Sequence, residues 1–81
     1  SASADGPWRV QLGAFGEGAR AQALWETLSG RIPALGGKQP YLVKGGAVTR
    51  LQAGGFASQS AASSACTAVK AAGNACLVVK P

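Results

Sequence analysis

The 81-residue sequence predicts a single α+β domain with the element order β-α-β-β-α-β. Three observations predict it. Apolar and polar residues alternate near the start, two later stretches carry apolar residues at helical spacing, and the block before the first of these stretches recurs before the second.

The alternation runs over Trp8 to Phe15. Its parity assigns Trp8, Val10, Leu12 and Ala14 to a core face, and Arg9, Gln11, Gly13 and Phe15 to the opposite one. After Gly16-Glu17-Gly18, residues Ala21, Leu24, Trp25 and Leu28 fall at i, i+3, i+4 and i+7, the stripe of an amphipathic helix that Gly30 is expected to end as a left-handed cap. Pro33, Gly36 and Gly37 make residues 31–39 a loop. Two β-rich runs come next, 40–44 and 47–53, joined by a Gly45-Gly46 turn. Ser58 is placed to cap a second helix, whose stripe is Ala62, Ala65, Cys66 and Val69 and whose end is Gly73. The β-branched run 75–80 closes the chain as a strand.

The recurring block is Val10-Gln11-Leu12-Gly13-Ala14-Phe15 against Leu51-Gln52-Ala53-Gly54-Gly55-Phe56. Two such β-α-β halves make a four-stranded antiparallel sheet with both helices on one face, the ferredoxin-like or RNP-like arrangement. Residues 1–6, small and polar, read as linker, and 7–81 as the domain.

Composition narrows the function. Seventeen alanines and 12 glycines leave little core bulk, and the absence of any apolar run near the roughly 20 residues of a membrane span argues against a span. With no His, and with Asp5, Glu17 and Glu26 scattered, the chain offers neither His-based acid–base chemistry nor a carboxylate pair. No catalytic residues, metal ligands or cofactors are therefore expected. The net charge is +5.

Cys66 and Cys76 are too few for a zinc site and lack Cys-x-x-Cys spacing. Cys66 shares the apolar stripe of the second helix, and Cys76 shares parity with Val78, so a bridge across the helix–sheet interface is sterically reasonable. The alternative is a pair of free core thiols. A bridge would favour a periplasmic or extracellular compartment.

The face away from the helices collects Arg9, Gln11 and Gly13 from the first strand, Val48, Arg50 and Gln52 from the third, and Leu77 and Val79 from the fourth. Guanidinium and amide groups beside small apolar residues suit a long polymer bearing hydroxyls and carboxylates. Lys44 extends the basic zone or protects an edge. Trp25 reads as core and Phe15 as a corner residue, while the parity of Tyr41 stays open.

The blocks Val10 to Phe15 and Arg50 to Phe56, each followed by an Ala-rich helix, resemble the two signature blocks of the SPOR domain, over about Pro7 to Lys80. The resemblance implies a non-catalytic, periplasmic or cell-envelope module of a longer exported or anchored protein. Such modules bind denuded peptidoglycan, glycan strands whose stem peptides amidases have removed, and so concentrate their hosts at the division septum during cell division. By motif position it implies glycan contacts at Gln11, Arg50 and Leu77. Ala14 departs from a common Ser, and Val48 from an aromatic in some members. Some members bridge strands one and four, but Leu12 stands at the first position here, which leaves Cys76 with Cys66 as its partner or with none. Amide cleavage also leaves a lactyl carboxylate on each muramic acid, so a stripped strand is a regular polyanion suited to a +5 domain.

Two other readings compete: a protein-interaction or regulatory domain, and an RNA-recognition-like module. The second needs base-stacking aromatics on the central strands. Those strands offer Gln11, Gly13, Arg50 and Gln52 instead, so nucleic acid is not the expected partner. A monomer without direct membrane contact is expected.

Overall fold

A computed structural model describes residues 6–81. The expected linker lies, for residues 1–5, outside the described residues. Strand β1 spans Trp8–Phe15 and helix α1 Gly18–Arg31; a 3-10 turn at Pro33–Leu35 leads to β2 at Gln39–Gly45 and β3 at Val48–Phe56; α2 spans Gln59–Ala71 and β4 Leu77–Val79. The sheet is antiparallel with order β2-β3-β1-β4. This is the predicted βαββαβ arrangement, with the two repeat-bearing strands adjacent at its centre.

Local chemistry accounts for most element ends. The Ser58 hydroxyl accepts from the Ala61 amide at 3.1 Å and caps α2. At the other end Gly73 takes φ +90°, its amide donates to the Lys70 carbonyl, and the Asn74 amide donates to the Val69 carbonyl. That is the double closure of a Schellman motif.

Helix α1 ends differently from expectation. It runs through Gly30 to Arg31, and Ile32 turns extended with φ −113° and ψ 107°. Pro33 is the cause, because its ring excludes helical backbone at the residue before it. The segment beyond is not a plain loop: Ile32 and Leu35 are buried in the core. Lys38 comes next, its ammonium 4.9 Å from the Phe56 ring centroid.

The hairpin turn is shifted by one residue from the expected Gly45-Gly46. Gly45 pairs with Val48, so the two-residue loop is Gly46-Ala47, with Gly46 at φ +62°. A positive φ at the first central position alone is the type II′ pattern, whose twist suits adjoining strands. Strand β3 continues past Ala53 to Phe56, and β4 is shorter than the expected 75–80.

The core lies between the helices and one sheet face. Val10 and Leu12 of β1 and Leu51 and Ala53 of β3 meet Ala21, Trp25 and Leu28 of α1, and Ala62, Ala65 and Val69 of α2. Cys66 and Cys76 are joined by a disulfide that ties α2 to the segment entering β4.

Candidate functional site

Helix packing uses up one face of the sheet and, among the described residues, leaves the other to its own side chains. Strand register sets the rows on that open face. Leu77, Gln11, Gln52 and Tyr41 form one row across all four strands. Val79, Arg9, Gly54 and Gln39 form the next, and Ala14, Arg50 and Val43 a third, with Val48 and Gly45 at the hairpin end.

Two bulges shape these rows. On β1 the register slips between Gln11 and Gly13, so Leu12 and Gly13 together oppose Leu51. An extra residue reverses the parity of the strand beyond it. The expected faces of Gly13, Ala14 and Phe15 are thereby corrected. Gly13 pairs with the core residue Leu51 and turns to the helix side; Ala14 pairs with Arg50 and is exposed on the open face; Phe15 pairs with Thr49 and packs against the core. On β3 the extra residue is Gly55, at φ +103°, which lets Trp8 pair with Phe56 while Arg9 pairs with Gly54. The Lys38 ammonium donates to the Gly55 carbonyl at 3.3 Å and so steadies the bulge.

The repeat becomes a symmetry of the site. Gln11 and Gln52 hold equivalent places in the two blocks and are direct cross-strand partners. Two residues before each stands an arginine, Arg9 and Arg50, so a pseudo-two-fold sets a paired amide between two guanidinium groups.

The halves are not equal in freedom. Arg9 Nη1 donates to Gln52 Oε1, and Gln52 Nε2 donates to Gln11 Oε1, each at 3.4 Å. The Arg9 guanidinium carbon also lies 3.9 Å from the centroid of the Tyr41 ring. Both side chains lean over Gly54, where an added Cβ would lie 2.5 Å from Tyr41 Cε2 and 3.4 Å from Arg9 Cγ. Gln52, expected as a displayed contact, is instead only 9% exposed. Its neighbours cover it, and it serves as the connector of the chain.

Arg50, by contrast, is exposed and rests over Gly45, where an added Cβ would lie 2.7 Å from its Nη1. Gln11 is half-buried, Val48 is half-buried at the hairpin end, and Leu77 is 62% exposed at the β4 side. Among the described residues the carboxylates are Glu17 and Glu26, one at the cap of α1 and one within it. The open-face rows therefore carry cations without a facing carboxylate.

Lys44 pairs with Thr49 and so belongs to the helix side, away from these arginines. Tyr41 is the contact that sequence reasoning left open. Its signal is the hairpin: counting back from the Gly45–Val48 pair sets Tyr41 opposite Gln52, which parity within five residues of one strand does not supply.

The model of the SPOR domain family matches residues 4–80. The chain belongs to the SPOR domain family. Two solved structures share the fold. One is the solution structure of the peptidoglycan-binding domain of the cell wall lytic enzyme CwlC from B. subtilis, with TM-score 0.72 and 24% identity over 91% of this chain and 87% of that one. The other is the crystal structure of the RlpA SPOR domain from Pseudomonas aeruginosa, with TM-score 0.70 and 23% identity over 91% of this chain and 99% of that one. Among curated proteins none matches significantly. In this SPOR domain the two signature blocks are the two bulged central strands, and their glutamines face each other across the sheet.

Proposed function

We propose that this SPOR domain is a non-catalytic peptidoglycan-binding module. It recognises glycan strands stripped of stem peptides and carries its parent protein to the division septum. The observation that carries the reading is the uncovered sheet face, on which Arg50 stands exposed beside the linked Arg9, Gln52 and Gln11. Membership of a binding-domain family supports it, as does the peptidoglycan-binding CwlC domain of the same fold. The disulfide suits the extracytoplasmic setting of cell-envelope proteins.

The contacts proposed are Gln11, Arg50 and Leu77, with Arg9, Val48 and Tyr41 around them. Gln52 acts through Arg9 and Gln11, which it holds in place. Gly13 enters through the bulge that brings Ala14 beside Arg50, rather than through a side chain of its own. The face is shallow because Arg50 lies down over Gly45, and Tyr41 and Arg9 lie down over Gly54, where no Cβ holds them off the sheet, so a flat polymer can lie across them. Stem peptides would hold the strand away from such a surface. Their removal leaves a lactyl carboxylate on each muramic acid, which an unpaired guanidinium can engage through two parallel hydrogen bonds. Sterics and charge select the same ligand.

Co-sedimentation with purified sacculi, before and after amidase treatment, tests the reading. Bound protein is expected to rise on stripping and to fall again as salt is added. Pelleting that is indifferent to amidase treatment would overturn the recognition of stripped strands.

A further inference from the structure

At the hairpin end of the sheet, where β2 and β3 meet the start of α1, a hollow of about 240 Å³ is lined by Gly16, Gly18, Lys44, Gly46, Val48 and Thr49. Three kinds of donor converge on it. The first turn of the 14-residue α1 receives no side-chain cap, because Glu17 supplies none; the Arg20 amide donates to the Glu17 carbonyl, and the Gly18 and Ala19 amides remain available with the positive end of the helix dipole. Lys44 contributes an ammonium group. Among the described residues no carboxylate lies within salt-bridge distance of Lys44; the Glu17 carboxylate at the helix start is 3.9 Å from Arg20 Nε.

The third donor is the most telling. Thr49 is only 6% exposed, and its hydroxyl has no hydrogen-bond partner among the described residues. No fully buried side-chain polar atom among them lacks a partner, so this hydroxyl meets solvent, and it does so in the hollow it lines. A nearly buried hydroxyl, an ammonium and a helix N-terminus directed at one small space form a ready anion site.

We propose that the hollow binds a carboxylate. Resting on the peptidoglycan reading above, it takes a lactyl carboxylate of the same stripped strand, one step beyond Arg50. Val48 joins the two regions: it lies two residues from Arg50 on the open face, about 7 Å along the strand, and also lines the hollow. A strand lying along β3 over Arg50 and Val48 runs off the sheet at this point.

The test is an amide NMR titration of the ¹⁵N-labelled domain with sodium lactate and, separately, inorganic phosphate at constant ionic strength. It is paired with binding of amidase-stripped glycan to wild type, Lys44→Gln, Thr49→Val and Arg50→Ala. Lactate is expected to shift the amides of Gly16, Gly18 and Thr49 saturably, and Lys44→Gln should weaken that binding about three- to tenfold. The same variant should weaken stripped-glycan binding by a similar factor while its melting temperature holds. Absence of lactate shifts at the hollow, or shifts unaffected by Lys44→Gln, overturns the site whatever the glycan does. Phosphate binding without lactate binding overturns the carboxylate assignment. If lactate binds as expected but the glycan is sensitive to Arg50→Ala alone, the glycan placement falls and the peptidoglycan reading stands. If wild type binds lactate and not the glycan, that reading falls while the carboxylate site survives.

Discussion

Reducing the Cys66–Cys76 bridge opens a loop closed across a separation of ten residues, and chain entropy sets the effect on stability. Cross-linking a loop of this length removes about 9 cal/mol/K from the unfolded chain, or about 2.7 kcal/mol at 25 °C. A domain of this size changes its melting temperature by roughly 4–8 °C per kcal/mol, so reduction should lower it by about 10–20 °C. The loss should also be uneven. The bridge ties α2 to the entry of β4, an edge strand of only three residues that, among the described residues, pairs solely with β1. Leu77 rides on that strand, so its amide should exchange faster with solvent on reduction than those of Val10 or Leu51. Circular dichroism melts with and without reductant give the global number, and hydrogen exchange gives the local one. Cys66→Ala with Cys76→Ala serves as a permanently open control. Reduced and oxidised protein melting within about 3 °C of each other would refute the entropic reasoning.

Two further perturbations address the site. Gly54→Ala inserts a Cβ into the space filled by Tyr41 and Arg9, so the ring must leave the guanidinium; the domain should lose about 1–3 kcal/mol in a urea titration and bind stripped glycan more weakly. Stability within about 0.3 kcal/mol of wild type would show that Tyr41 moves aside freely. Arg50→Ala removes an exposed side chain, so its melting temperature should hold while glycan affinity drops about tenfold or more, with Arg50→Lys recovering only part because an ammonium lacks the planar fork. Full recovery by lysine in a binding isotherm would reduce the role of Arg50 to charge alone.

Much of the domain was legible in its sequence because the signals are local. Alternation over Trp8 to Leu12 reads as a strand since side chains alternate faces every residue. The stripes through Trp25 and Cys66 read as helices since 3.6 residues make a turn, and Ser58 and Gly73 mark ends because each supplies a particular hydrogen bond or backbone angle. Arg9, Gln11, Arg50 and Leu77 were placed on the open face by the same counting.

Tertiary structure alone decided what depends on a partner strand. Parity holds only while each residue faces one residue, and the extra Leu12 broke that count, turning Ala14 outward and Gly13 inward. Tyr41 took its place from the register of β2 on β3, and Gln52 lost its exposure because Arg9 and Tyr41, distant in sequence, close over Gly54 beside it. The hollow at Lys44 and Thr49 likewise exists only where a helix start meets a hairpin from elsewhere in the chain. Residue type and period determine elements and faces, whereas register and packing between separated segments determine which groups touch.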